Sequence, residues 1–488
     1  MMKRACGIML HISSLPNKYG FGCFSKEAYN FVDFLKKSGQ HYWQVLPFNP
    51  TNDSGSPFQS FSVFAGNPNF IDLTEFLSDK ELEKLGFKNT KKIDFKKLSA
   101  LRLEALKKVY KKFYKEEEIL DFCHQNSYWL EDYATFMALK DKFKNVELSL
   151  FPKEYKNYDK KTIEEFRLKN KKQIDFYKFV QFIFMKQWSK LKNYANENGI
   201  EIIGDIAFYP ACDSSDVWAN RQEFCFDKDN NPTGVAGVPP DYFSEDGQLW
   251  GNPIYNSENM KKNNFTWWVK RFQQANKFYD VVRIDHFRGF ESFWVCKPDA
   301  QTAKDGKWHK GFGYELFEEL KKHRMPKFIA EDLGVITPKV KKLMDTYSLP
   351  GMKVFQFAFD GNPKNLYFPH NYPENCVAYI GTHDNNTLVG FLKEVEPEIL
   401  GEVKQYLSLP EDATYEKITD TLIAIMLNSR AETVILSMQD LLYLDESYRM
   451  NIPGTPEDNW KFIVPKNSFT DSLAKTLLNL TIAADRNN

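Results

Sequence analysis

Apolar residues along this chain gather in short runs bounded by polar or turn residues, the pattern of strands buried on both faces. Eight such runs occur, at residues 7–12, 41–47, 201–208, 281–287, 327–333, 352–359, 376–384 and 433–441. Most are separated by stretches able to hold a helix, such as 27–38 after the first run and 314–324 before the fifth. Strands alternating with helices specify a parallel sheet, and eight of them allow it to close, so the expected fold is an α/β, (β/α)8 barrel. Two separations are too long for a simple crossover. Residues 74–194 place Leu106, Val109, Tyr110 and Phe113 at helical spacing among lysines, and 176–191 repeats the pattern, which predicts a large helical insertion. Residues 213–260 contain GVPPDYFSEDGQLWGNP, whose Gly and Pro density predicts a long irregular loop over the active site. No internal repeat, low-complexity tract or Pro/Ser linker divides the chain, so one decorated barrel over 1–488 is expected.

In such barrels the active site lies at the C-terminal ends of the strands, and four of the eight runs carry an acid there: Asp205, Asp285, Glu331 and Asp384. A carboxylate inside an apolar run is costly unless it is paired or used. Arg283 lies two residues before Asp285, and the alternation of a strand sends both side chains to one face, where a guanidinium holds Asp285 ionised. Glu331, beside Ala330 with no basic neighbour in sequence, is suited to carry a proton. One ionised acid and one protonated acid are the equipment of retaining glycoside chemistry, in which the pair stands about 5 Å apart. His286 and His383 adjoin two of the acids and can hold sugar hydroxyls. Tyr242, Phe243 and Trp250 lie in the predicted loop, where stacking on sugar rings and structural packing are both open, whereas Trp267 and Trp268 read as core.

Composition narrows the alternatives. Lys+Arg and Asp+Glu balance at 65 each, so a general phosphate-backbone binder lacks its basic surplus and nucleic acid is not an expected partner. The aromatic fraction of 16% exceeds what a core needs and suits a cleft for ring-shaped ligands. Seven scattered cysteines without a C-x-x-C pair suggest neither a disulfide framework nor a structural zinc site, which fits a reducing cytoplasm. The opening MMKRACGIMLHISSLP has a basic head and apolar residues but no small-residue cleavage pattern, and no window reaches 18 uninterrupted apolar residues, so neither export nor a membrane span is expected. A metal site of Asp and His lacks H-x-H or H-E-x-x-H spacing, and the serine-elbow, P-loop and dinucleotide fingerprints are missing. No metal and no cofactor is therefore expected.

The strings GIMLHISSLP, WQVLPFNP, SPFQSFSVFAGNP, IIGDIAFY, DSSDVWAN, GVPPDYFSEDGQLWGNP, VVRIDHFRGF, IAEDLGVITP, PGMKVFQFAF, GTHDNNT and RMNIPGT, with NW close behind, occur in that order over nearly the whole length. In this the chain resembles the 4-α-glucanotransferases of the amylomaltase type, glycoside hydrolase family 77. The resemblance implies a catalytic nucleophile at Asp285, a general acid/base at Glu331 and a third acid that fixes the donor sugar at Asp384. It places Arg283, His286 and His383 in the same subsite, matches Asp205 and Asp213 to acids of the third-strand region, and assigns Tyr242 and Phe243 to a loop that folds over bound glucan. Phe58 stands where the family commonly has tyrosine, so it can stack on a sugar but cannot donate a hydroxyl hydrogen bond. The implied substrates are α-1,4-glucans and maltooligosaccharides, with glucose as an acceptor. Carboxylate geometry does not separate transfer from hydrolysis of the α-amylase type, so the preference for transfer rests on the resemblance.

Overall fold

The structure is a computed structural model and describes residues 4–240, 245–455 and 458–487. Eight strands form the central sheet: β1 (Ala5–Met9), β2 (Tyr42–Gln44), β3 (Glu201–Ile206), β6 (Val281–Ile284), β9 (Lys327–Ala330), β10 (Gly351–Val354), β11 (Cys376–Tyr379) and β12 (Thr433–Ser437). Each falls in one of the eight apolar runs. All pairings are parallel, in the order β10-β11-β12-β1-β2-β3-β6-β9. The seam between β9 and β10 is bridged by the Ala330 N–H, which donates to the Pro350 carbonyl at 2.9 Å, and the sheet thereby closes into a (β/α)8 barrel.

Strand periodicity sorts the side chains into two compartments. Ala5, Met9, Tyr42, Ile203, Val281, Ile329, Met352, Val354, Val377, Tyr379 and Ile435 form a cluster of their own, which fills the barrel. Their strand neighbours, among them Cys6, Ile8, Trp43, Ile202, Val282 and Ala330, belong to the larger cluster shared with the surrounding helices. The fit inside is close: a Cβ on Gly7 would come within 2.4 Å of the Tyr42 Cβ, so this glycine makes room for the tyrosine. On β3 and β6 the inward positions change from apolar to ionic toward the C-terminal end, from Ile203 to Asp205 and from Val281 to Arg283. The core becomes a site along a single strand face.

Between β2 and β3 lie seven α-helices: Asp79–Leu85, Phe95–Phe113, Glu116–Gln125, Leu130–Lys142, Lys153–Lys156, Lys160–Lys169 and Lys171–Glu197. The last is both the end of this helical segment and the crossover that delivers β3. It buries Phe184, Trp188 and Leu191, and the Trp188 indole N–H donates to the Phe278 carbonyl at 3.0 Å.

The segment 213–260, predicted to be irregular, contains two strands, β4 (Val235–Val238) and β5 (Gln248–Pro253). They join β7 (Ser292–Cys296) and β8 (Lys307–Lys310) in an antiparallel sheet of order β5-β4-β7-β8. The glycine density that argued against regular structure serves the pairing, because a Cβ on Gly237 would lie 2.5 Å from the Gln248 carbonyl oxygen. Half of the sheet comes from residues beyond 290, which local reading of the loop could not include.

At the opposite end of the barrel Arg486 is fully buried, and its described hydrogen bonds all go to backbone carbonyls. Its Nη atoms donate to the carbonyls of Ala5 and Glu432 at 3.0 Å, Ser429 at 3.0 Å and Ala431 at 2.7 Å, and its Nε to Leu427 at 2.5 Å. One guanidinium thus ties the starts of β1 and β12. Each hydrogen bond to a charged group contributes about 1.5–3 kcal/mol, and carbonyls left unpaired by truncation add to the loss. We expect Arg486→Ala to lower unfolding free energy by roughly 3 kcal/mol or more in urea titration, with Arg486→Lys intermediate. Equal midpoints for wild type and Arg486→Ala would remove this clamp from the fold.

Candidate active site

The C-terminal mouth of the barrel is organised around Arg283. Its Nη1 lies 2.6 Å from Asp205 Oδ2 and 3.0 Å from Asp285 Oδ1. Strand register explains the first contact, since Asp205 and Arg283 are direct partners across β3 and β6. Periodicity explains the second, since Asp285 follows Arg283 by two positions. Arg283 is 3% exposed and Asp205 1%, so the pair is dry. Burial opposes the guanidinium charge, but Asp205, Asp285 and Glu331 more than offset it and hold Arg283 protonated. Burial also pushes the Asp205 carboxyl up against the pull of Arg283.

Glu331 follows β9, whose Ala330 is in register with Ile284 of β6, so Asp285 and Glu331 leave neighbouring strands at the same level. Parallel strands stand about 4.8 Å apart, so the two acids leave the barrel rim side by side. A second constraint fixes their relation. His286 adopts the left-handed conformation, φ 49°, costing on the order of 1–2 kcal/mol for a non-glycine residue. That turn aims its N–H at Glu331 Oε2 at 2.8 Å, while the Leu333 N–H donates to Oε1 at 2.7 Å. The backbone step next to Asp285 therefore grips Glu331 directly. Burial, and after it the charge of Asp285, raise the Glu331 pKa well above the ordinary 4.5; Arg283 and the Leu333 N–H pull the other way and are outweighed.

Asp384 follows β11 and is held from outside the barrel. Its Oδ1 accepts from Asn451 Nδ2 at 2.6 Å, its carbonyl accepts from Arg449 Nη2 at 2.7 Å, and the His383 Nε2 lies 3.4 Å from Oδ2. His383 is buried, and burial lowers its pKa, which favours the neutral ring. Phe58 stacks on it with ring centroids 5.3 Å apart at 20°, and Trp460 stands 5.9 Å from both rings. On the other side Trp250 of β5 sets its ring edge-to-face on His286, centroids 4.9 Å apart at 86°. Burial lowers the His286 pKa to about 4, and its Nε2 is buried without a hydrogen-bond partner among the described residues.

Asp205, Arg283, Asp285, His286, Glu331 and Trp250 are thus linked through direct contacts, as are Phe58, His383 and Asp384. Asp213 is engaged elsewhere: Lys140 Nζ lies 2.6 Å from its Oδ2 and the Leu148 N–H donates to Oδ1 at 2.9 Å, which fastens the helical segment to the loop after β3. It also lines a groove of about 330 Å³ together with Gln59, Phe61, Asn252 and Trp250. Tyr242 and Phe243 lie outside the described residues. Sequence reasoning assigned no role to Asn451, Arg449 or Trp460. The signal was present in RMNIPGT and NW, but nothing local says that these residues reach Asp384 and His383 from the loop after β12. Among the described residues no group of three or more His, Cys, Asp or Glu side chains is arranged to hold a metal ion.

Asp216 supports the wall that carries Phe58. Its carboxylate accepts from the Val63 N–H at 2.8 Å and from Ser62 Oγ at 3.2 Å, and the Ser215 N–H donates to the Phe61 carbonyl at 2.9 Å.

A (β/α)8 barrel whose mouth gathers carboxylates, a buried guanidinium and aromatic walls is an enzyme equipped for glycoside chemistry. The comparisons refine this. The family described as 4-alpha-glucanotransferase, glycoside hydrolase family 77, matches residues 10–467. A 4-alpha-glucanotransferase of Clostridium butyricum is 43% identical over 484 residues, covering 97% of this chain and 99% of that protein. One from Aquifex aeolicus is 42% identical over 470 residues, covering 95% and 96%. The amylomaltase of Streptococcus agalactiae, solved in complex with acarbose, superposes with a TM-score of 0.95 at 38% identity, covering 100% of both chains. The chain belongs to the 4-alpha-glucanotransferase family, glycoside hydrolase family 77.

Burial raises the Asp216 pKa from 3.8 to about 7 and that of Asp440 to about 6. A folded-state value above the unfolded one means the native state keeps a proton that the unfolded chain releases, so stability falls as pH rises from about 4 to 7. Asp216→Asn removes one such group and should reduce that decline by about 2–4 kcal/mol, measured as urea-unfolding free energies at pH 4.5 and 7. The same decline in wild type and variant would exclude the buried acid as its source.

Proposed function

We propose that this chain moves α-1,4-glucan segments from a donor maltooligosaccharide to the 4-hydroxyl of an acceptor glucan or of glucose, with the anomeric configuration retained. The observation that carries the reading is the grip of the His286 N–H on Glu331, one residue from Asp285 on the neighbouring strand. It supports a nucleophile and a proton carrier separated by a single sugar linkage.

Asp285, oriented by its contact with Arg283, attacks the anomeric carbon of the donor while Glu331 protonates the departing glycosidic oxygen. The C–O bond of the donor breaks, a β-linked glucosyl-enzyme forms, and the shortened glucan leaves with the proton of Glu331. Glu331, now a carboxylate, takes the proton of the acceptor 4-hydroxyl as that oxygen displaces Asp285, and two inversions return the α linkage. Asp384, aimed by Asn451, fixes hydroxyls of the reacting glucose. His286 and His383, both neutral, offer ring nitrogens to others. Phe58 and Trp250 form opposing walls for the sugar ring, and the reading assigns Tyr242 and Phe243 to a cover over the bound glucan. Asp213, with both oxygens engaged, braces the groove wall. No cofactor enters these steps. Transfer in place of hydrolysis is supported by the family to which the chain belongs and by the acarbose complex of the S. agalactiae amylomaltase. All seven cysteines are free thiols and no described helix is long and apolar enough to cross a membrane, which supports the cytoplasm as the setting.

Incubated with maltotriose, the protein should yield glucose together with maltooligosaccharides longer than the substrate. Maltose and glucose with no longer product would identify a hydrolase and sink the proposal. Asp285→Asn should reduce turnover on the order of 10³-fold or more, with folding and glucan binding retained.

The raised pKa of Glu331 has a definite sign in kinetics. As general acid it must be protonated, so kcat/KM falls as pH rises through its value, and the alkaline limb should lie in the neutral range or above, well beyond the ordinary 4.5. Because the charge of Asp285 is one cause of the rise, Asp285→Asn should lower the Glu331 midpoint, read by NMR titration of its carboxyl carbon. A midpoint that stays put would break the electrostatic coupling of the pair.

A further inference from the structure

We propose that Trp308, with the Arg288 guanidinium stacked on its ring, is a platform for a glucose residue beyond the two at the scissile bond, and that it favours long glucans over short ones. The inference rests on the glucan reading of the active site. Trp308 sits on β8, an edge strand whose four residues are all exposed, and retains 40% of its own surface in solvent. An indole held open on an edge strand needs a reason, since burying such a ring is favourable by about 1.5–3 kcal/mol.

Two contacts hold the ring without covering it. The Arg288 Cζ lies 3.7 Å from its centroid. Trp294, its cross-strand partner, meets it at 5.1 Å and 65°. Trp294 is itself locked, because its indole N–H donates to the Ala303 carbonyl at 2.8 Å and a Cβ on Gly306 would come within 2.2 Å of that nitrogen. Trp308 is therefore prepared before any ligand arrives, which lowers the ordering cost of binding.

The platform is also tied to the catalytic loops. Arg288 belongs to the turn Phe287–Phe290 that follows Asp285, and its Nη1 donates to the carbonyl of Val335 in the loop that follows Glu331. A glucan leaving the reacting centre over this rim meets an apolar ring for its C–H face, with the guanidinium beside it and Lys310 on the same strand face for its hydroxyls. A cross-strand tryptophan pair that served only the small sheet would need neither the guanidinium cap nor the tether to the Glu331 loop.

The test compares kcat/KM on maltoheptaose and on maltotriose for wild type, Trp308→Ala and Trp308→Phe. A stacking contact is worth about 0.5–1.5 kcal/mol, so the maltoheptaose-to-maltotriose ratio should fall about 2- to 12-fold in Trp308→Ala and remain near wild type in Trp308→Phe, which keeps a ring. A ratio unchanged in Trp308→Ala, with both constants equal to wild type or both reduced alike, overturns the platform. If Trp308→Ala does not fold, the ratio in Trp308→Phe against Trp308→Leu decides in the same way. Wild type that makes no product longer than maltotriose would instead defeat the transferase reading, a result distinguishable because it precedes any comparison of variants.

Discussion

A positive charge buried near the top of a closed barrel constrains everything around it. Arg283 occupies an inward strand position that would otherwise continue the apolar filling of Val281, and it is tolerable there only because Asp205 and Asp285 meet it at 2.6 and 3.0 Å. Those two acids have different duties. Asp205 is sealed and compensates the charge; Asp285, at the boundary with solvent, keeps one side free. The arginine thus converts the rigidity of the barrel into the orientation of a single carboxylate. Glu331, pressed by burial and by the charge of Asp285, is raised well above the ordinary carboxylate value. Two acids on adjacent strands thus stand in different relations to one buried cation, which contacts Asp285 directly.

The rest of the mouth is assembled from segments distant in sequence, each fixing one feature. The turn at His286 couples the two acid loops through a backbone N–H, so that neither can shift alone. The loop after β12 brings Asn451 to Asp384 and Trp460 to His383 and Phe58. The helical segment reaches the site through the Lys140–Asp213 ion pair, in which the lysine side chain is 3% exposed and whose loss would leave it buried and uncompensated. This is how an insertion outside the barrel can influence the groove without contributing a catalytic group.

The barrel and its acids were legible in the sequence because they obey local rules. Buried parallel strands appear as apolar runs, and an acid in such a run is conspicuous by its desolvation cost, which is why β3, β6 and β9 and the ends Asp205, Asp285 and Glu331 were readable. The small sheet was not, because β4 pairs with β7 across intervening chain, and glycines that read locally as breakers serve close strand approach. The ion pair of Asp213 with Lys140 was not legible; a lysine in the last turn of a helix, 73 residues upstream, gives no sign that it points inward. Asn451 was invisible as a positioning group for the same reason: a hydrogen bond across 67 residues leaves no periodicity to detect.

The order of strands around the barrel has a consequence for biosynthesis. β1 pairs with β12, so one flank of β1 must wait for a strand made more than 420 residues later, and Arg486, which cinches both, lies further along the chain. Until then that flank of β1 stands as an open hydrogen-bonding edge, and such edges invite pairing with other chains. The nascent protein is thus most exposed to misassociation late in its synthesis, when nearly the whole sheet exists but cannot yet become a ring.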